Sequence, residues 1–193
     1  MIELVCATGN KGKLREFEEA SGDEFSIRGC SALDCPETGN SFAANARQKA
    51  LCYSEQLDAE WLFADDSGLV VDALDGEPGI YSARYAGEHS DDQANNRLLL
   101  ENLRGVARDK RTARFVCAIA LIRSGEVAAC FEGQVEGYIL EEPQGEAGFG
   151  YDPLFYFPPL ERSFGVASAE EKWRYSHRGN AFRQMLNWLR ENR

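Results

Sequence analysis

The chain has 193 residues, 44% of them hydrophobic, enough for a substantial core and, by size, for one folding unit over 1–193 with room for two lobes. Acidic residues outnumber basic ones 32 to 21, and the formal charge of −11 argues against a nucleic acid polymer as partner, because its field repels polyanions. A small phosphorylated ligand stays possible, since a local cluster of Lys, Arg and bound metal can override the average charge at one site.

No segment approaches the roughly 20 apolar residues needed to span a bilayer, and the opening MIELVCATGN has neither a basic region nor a long apolar run. The expectation is a soluble, cytoplasmic protein with no membrane partner. Cys6, Cys30, Cys35, Cys52, Cys117 and Cys130 are scattered and form no CxxC pair, so free, mostly buried thiols in a reducing compartment are expected.

In chain order, Ile2 to Ala7 read as a short buried strand that runs straight into a helix from Asn10, on which Leu14 and Phe17 recur at helical spacing. A second strand is expected near Phe25 to Arg28. After the turn-rich CPETGNS, Phe42, Ala46, Ala50, Tyr53 and Leu57 follow a 3.6-residue period, with Asn45 and Lys49 together on another face. WLFADDSGLVVDAL reads as two strands, Trp61 to Ala64 and Leu69 to Leu74, broken by an acidic DDSG turn. A loop from Gly76 to Gly87 leads to a helix from about Asp91 whose Leu98, Leu99, Leu100 and Leu103 pack inward. Thr112 to Arg123 and Glu126 to Leu140 form a hairpin turning at Ser124-Gly125. GFGYDPLFYFPP supplies a glycine-rich loop and an aromatic strand, and a last helix from near Ser176 carries Phe182, Met185, Leu186 and Leu189 as its core stripe. The pattern is that of an α/β protein with a mixed sheet.

Three stretches carry chemistry. The turn ATGNKGK sets Gly9 and Asn10 between strand and helix, where unpaired amides and the helix dipole favour an anion, with Lys11 and Lys13 as mobile charges. It is not a Walker loop: Ala7 stands where the first glycine belongs and Leu14 where the hydroxyl belongs. A capped surface helix would read the same way. Glu37, Asp65 and Asp66 suit Mg²⁺, which takes few carboxylates and keeps waters and phosphate oxygens as its other ligands. Successive strand residues point to opposite sides, so Asp66 is chosen as the inward one, against the alternative of a solvated acidic turn. GFGYDP offers two glycines for close backbone approach and aromatics to stack on a base, and SHRG sets His177 and Arg178 at a helix start; a core strand and a capping histidine are the competing readings.

Taken together and in order, ATGNKGKLREF, ETG with SFAANARQKA, FADDSGLVVDALDGEPGIYSARYAG, GFGYDP and SHRG closely resemble the inosine/xanthosine triphosphate pyrophosphatase (Ham1-like) family over nearly the whole chain. The resemblance implies an elongated, twisted mixed α/β sheet flanked by helices, two lobes around a central cleft, and a homodimer. It implies a triphosphate held by Thr8, Gly9, Asn10, Lys11, Gly12 and Lys13 with Lys49 and Lys172 as further clamps, and Ser67 binding substrate. It implies Mg²⁺ on Glu37 and Asp66, and a base pocket from Phe149, Gly150, Tyr151 and Asp152 with His177 and Arg178. The chain departs from the family between Pro158 and Lys172 and in WRYSHR. The implied reaction is magnesium-dependent hydrolysis of purine nucleoside triphosphates of the inosine and xanthosine type to monophosphate and pyrophosphate, with Asp66 or Asp65 taking the proton of the attacking water. Arg178 or loop amides would donate to the purine O6. Two rivals are a pyrophosphatase for modified pyrimidine nucleotides and a non-catalytic nucleotide sensor.

Overall fold

The computed structural model describes residues 1–87 and 91–192. Strand β1 (Ile2–Cys6) follows from the opening apolar run, and it pairs in parallel with β2 (Phe25–Gly29), Ile2 opposite Phe25, and with β3 (Trp61–Val71), Cys6 opposite Phe63. Parallel neighbours need crossovers. Helix α1 (Lys11–Ala20) makes the first and α2 (Phe42–Ser54) the second. The remaining strands are β4 (Thr112–Arg123), β5 (Glu126–Ile139), β6 (Phe155–Phe157) and β7 (Arg162–Ser163), and the helices α3 (Asp92–Asn102), α4 (Ala169–Tyr175) and α5 (His177–Glu191). The sheet order is β2-β1-β3-β4-β5-β6-β7, with β5, β6 and β7 antiparallel, which bears out the mixed α/β expectation.

Two compact units share the chain. The first holds Met1–Asp66, Cys117–Gly133 and the segment from Arg178 onward, and the second holds Ser67–Val116 and Gln134–His177. In the first, alternation along β3 sorts its core: Trp61 and Phe63 face α1 and α5, where Phe17, Phe63 and Phe182 pack ring to ring and Trp61 meets Trp188. Leu62 and Ala64 face α2, against Ala46, Ala50 and Tyr53. The α5 stripe Phe182, Met185, Leu186 and Leu189 is buried as its spacing requires. The second unit has its own core, in which Leu69, Leu99, Leu103, Phe115, Tyr151, Phe155 and Phe164 are all buried.

Three expectations need correction. DDSG is not a turn; Asp65 to Gly68 continue β3 without a break, because both carboxylates find partners while extended. Gly68 is required there: a Cβ would lie 2.5 Å from the Gly79 carbonyl, and the next residue, Leu69, donates its N–H to Ser82 Oγ at 2.9 Å. Ahead of the last helix lies a further one, α4, started by a capping box between Ser168 and Glu171. And Cys35 and Cys52 form a disulfide, with Cα atoms 6.0 Å apart, so only Cys6, Cys30, Cys117 and Cys130 are free thiols. Their 17-residue separation hid a pairing that α2 makes by folding beside the 35–39 segment. Among the described residues no helix is long and apolar enough to cross a membrane.

Candidate functional site

In the first unit the chain leaves β1 at Cys6, while β3 runs on past Phe63, so Asp65 and Asp66 lie beyond the end of the β1 pairing and near the turn that opens α1. Asn10 caps α1, its side chain accepting the Lys13 N–H at 3.0 Å, and its own N–H donates to Thr8 Oγ1. Gly9, Asn10 and Lys11 are exposed, Gly12 half-buried, and Thr8 buried. The helix start therefore exposes Gly9, Asn10 and Lys11, at the end where the helix dipole favours an anion.

Alternation separates the two acids. Asp65 falls on the α1 and α5 side, with no side-chain exposure: Lys13 Nζ lies 2.8 Å from it and Arg178 Nε 3.6 Å. Burial works to raise the Asp65 pKa, but Lys13, Arg178 and Lys49 outweigh it and bring the carboxyl down to about 2. Arg178 is in turn held by Glu16 at 2.5 Å. Asp66 falls on the α2 side, accepting from Asn45 Nδ2 at 3.1 Å. Its pKa is raised, first by burial and also by the charge of Glu37, against the opposing pull of Lys13, Lys49 and Asn45. Lys49 donates to Glu37 at 2.9 Å. Burial would lower the Lys49 pKa, yet Asp65, Glu37 and Asp66 together raise it. Lys13, Lys49, Glu37 and Asp66 thus act on one another within a single cluster.

That cluster fits a magnesium ion. Glu37 and Asp66 are close enough for one to disfavour ionisation of the other, a repulsion that a divalent cation between them would relieve. Among the described residues no group of three or more His, Cys, Asp or Glu side chains forms a full cage. Mg²⁺ does not need one, since waters and substrate phosphates complete its octahedron.

In the second unit the GFGYDP loop is built around the Asp152 carboxylate. Asp152 Oδ2 accepts the Phe149 N–H at 2.8 Å and the Lys172 ammonium at 2.6 Å, and both Asp152 and Lys172 are buried. Gly148 is held at φ +77°, and a Cβ there would strike the same carboxylate. The Lys172 Nζ sits 4.6 Å from the centre of the half-buried Phe149 ring, a cation–π contact. Lys172, expected as a clamp on the phosphates, is thus paired with Asp152 of the GFGYDP loop. Tyr151 lies in the core with its hydroxyl on the Ser82 carbonyl at 2.8 Å, leaving Phe149 as the aromatic of this loop outside the core cluster. His177 is buried and stacked on Phe115 with centroids 4.8 Å apart. Ser67, half-buried, opens this unit's part of β3.

Arg178 was expected to donate to a purine O6; the structure places its buried guanidinium on Glu16 and Asp65, in the first unit with Lys13. Several contributors were not anticipated. Glu16 and Asn45 are two, and Asp92 and Asn96 of α3 are two more, gripping Gly150 by its N–H at 2.7 Å and its carbonyl at 3.0 Å. Helical spacing was the available signal for Asn45, which sits one turn before Lys49. Nothing in the sequence pairs α3 with a glycine more than fifty residues away.

Comparison with known proteins bears on what this arrangement does. The Ham1 family matches residues 4–188. A dITP/XTP pyrophosphatase of Halalkalibacterium halodurans is 48% identical, the match covering 98% of this chain and 100% of that protein. One of Bacillus subtilis is 42% identical over 98% of each chain. Among solved structures, the Staphylococcus aureus Ham1 protein superposes with a TM-score of 0.87 at 40% identity, covering 99% of this chain and 100% of that one.

Proposed function

Because the chain belongs to the Ham1 family, we propose that it is a pyrophosphatase for non-standard purine nucleoside triphosphates, those of inosine, deoxyinosine and xanthosine, releasing the monophosphate and pyrophosphate. The observation that carries this reading is the cluster at the end of β1, where two lysines and two carboxylates act on one another beside an exposed helix start, in a chain whose net charge is −11. A polyphosphate and its counter-cation are the chemistry such a cluster suits.

In this reading the triphosphate lies against Thr8, the amides of Gly9 to Gly12, Lys11 and Lys13, with Lys49 as a further cation and Ser67 also on the substrate. Glu37 and Asp66 would hold a magnesium ion, which would supply positive charge to neutralise phosphate oxygens. Asp66 takes a proton from a water whose oxygen bonds to the α-phosphorus, while the bond from that phosphorus to the bridging oxygen breaks and pyrophosphate departs with the electron pair. Asp65 is a poor alternative base: it is fully buried and bound to Lys13. Its role is to fix Lys13 and Arg178 in place. The Asp152–Lys172 pair receives the purine, with Lys172 as the donor, the Phe149 face beneath the ring and His177, the first residue of α5, also assigned to the pocket. A 6-oxo purine accepts from the Lys172 ammonium; adenine presents an amino group and leaves that buried donor without its bond, at about 1–3 kcal/mol. Magnesium dependence, a cytoplasmic location and a homodimer belong to the same reading.

A substrate panel tests it: the triphosphates of deoxyinosine, xanthosine, guanosine, adenosine and modified pyrimidines, each with and without Mg²⁺, with pyrophosphate and phosphate assayed separately. Pyrophosphate released from the deoxyinosine and xanthosine compounds at least tenfold faster than from adenosine triphosphate supports the proposal. Orthophosphate as the product, or preference for a pyrimidine, refutes it.

A further inference from the structure

Asn45, in the first turn of α2, has no solvent exposure, a costly position for an amide unless both of its ends are bonded. Both are. A backbone N–H can only donate, so the contact of 2.8 Å from the Gly39 N–H identifies the Asn45 oxygen. The amino end therefore points to Asp66, donating to Oδ2 at 3.1 Å. The chain from Cys30 to Asn40 contains no helix or strand, so its place is set by side-chain bonds rather than a ladder. Gly39 approaches Asn45 as closely as a residue without Cβ can: an added Cβ would stand 2.7 Å from the Asn45 oxygen and 2.7 Å from Ala44 Cβ. Neighbours on the same helix face extend the grip, Gln48 Oε1 accepting from the Thr38 N–H and Lys49 donating to Glu37.

From this bridge we infer that Asn45 is a positioning residue. It ties the segment carrying Glu37 to the Asp66 carboxylate, so that two acids from separate parts of the chain are presented as one donor pair. The inference rests on the reading of Glu37 and Asp66 as the cation-holding residues. Left to themselves the two acids repel, and the Asn45 bridge adds to the Cys35–Cys52 disulfide, the Gln48 bond and the Lys49–Glu37 pair in holding the irregular 35–39 segment against that repulsion.

The probe is Mn²⁺ alone, titrated without nucleotide into the full chain and followed by loss of the free-ion paramagnetic resonance signal. Asn45→Leu removes both bonds while keeping the branching and heavy-atom number of the side chain; Gly39→Ala leaves Asn45 whole and pushes the segment off it. Each should raise the Mn²⁺ midpoint roughly 10- to 100-fold, the range for one hydrogen bond to a charged group. Because both break one connection, the double variant should be weaker than the worse single by less than threefold. Arg47→Ala, on the exposed face of α2, should bind as the parent does. A folded Asn45→Leu with a lowered melting point and an unchanged Mn²⁺ midpoint makes Asn45 merely structural and overturns the inference. If that variant does not fold, an unchanged midpoint in Gly39→Ala overturns it equally. Should the parent chain bind no Mn²⁺, or Asp66→Asn bind it undiminished, the assignment of the pair itself falls and the inference with it.

Discussion

Asp65→Asn separates a structural acid from the neighbour proposed as the base, and its cost follows from the ion pairs. The Asp65 side chain has no exposure, and Arg178 beside it has only 2%. Burial alone would raise the carboxyl pKa, but the cations bring it from 3.8 to about 2, and at about 1.4 kcal/mol per unit this amounts to roughly 2–3 kcal/mol of folding free energy at neutral pH. The sign is that of a depressed acid: the contribution is complete above pH 3.8 and is lost as the pH falls toward 2. Asparagine also leaves the Arg178 charge facing an amide, and breaking a buried pair from one side costs about 3–5 kcal/mol. For a chain of this size about 3 kcal/mol lowers Tm by roughly 6–12 °C. Urea unfolding of parent and variant at pH 7, 5 and 3.2 measures the effect: the difference should hold from 7 to 5 and shrink at 3.2. A difference below about 1 kcal/mol at pH 7, or one that widens on acidification, refutes the ion-pair account.

Asp66→Asn should lower kcat by roughly 10²- to 10⁴-fold with Tm little changed, the converse of its neighbour, and retained turnover would remove it from the chemistry. Arg178→Gln should destabilise nearly as much as Asp65→Asn, and the two together should cost less than their sum by about 1 kcal/mol or more; strict additivity would mean that they do not share a network. Lys172→Met leaves the buried Asp152 without its cation, so KM for deoxyinosine triphosphate should rise about tenfold or more while that for pyrophosphate as inhibitor stays unchanged; the opposite split would return Lys172 to the phosphates. Closing a loop of 17 residues, the Cys35–Cys52 bond should contribute about 3 kcal/mol, read as a fall in Tm on adding dithiothreitol, and a thiol titration of unfolded, unreduced protein should find four thiols rather than six.

Most of the architecture was legible because it is written in short-range periodicity. The α5 stripe, the α2 face and the Ser124-Gly125 hairpin each declare themselves within fifteen residues, since burial on one side of a helix or strand leaves a repeating pattern. DDSG misled for a related reason: Asp, Ser and Gly are turn formers by local preference, and what keeps them extended is a lysine from α1 and an asparagine from α2.

Most helices and strands, the mixed sheet and the family could be read from the residues alone, because they rest on local pattern or on ordered motifs; α4 and the unbroken β3 could not. Lys13, Glu37, Asp65 and Asp66 also stood out as candidates, since charged side chains at strand ends and helix starts are unusual. Only the tertiary structure decided their division of labour: Asp65 buried on Lys13 and Arg178, Asp66 held by Asn45, Lys172 on Asp152, Cys35 bonded to Cys52. The reason is that a charge's role depends on its partner and on the water it has lost, and both are set by residues tens to more than a hundred positions away along the chain.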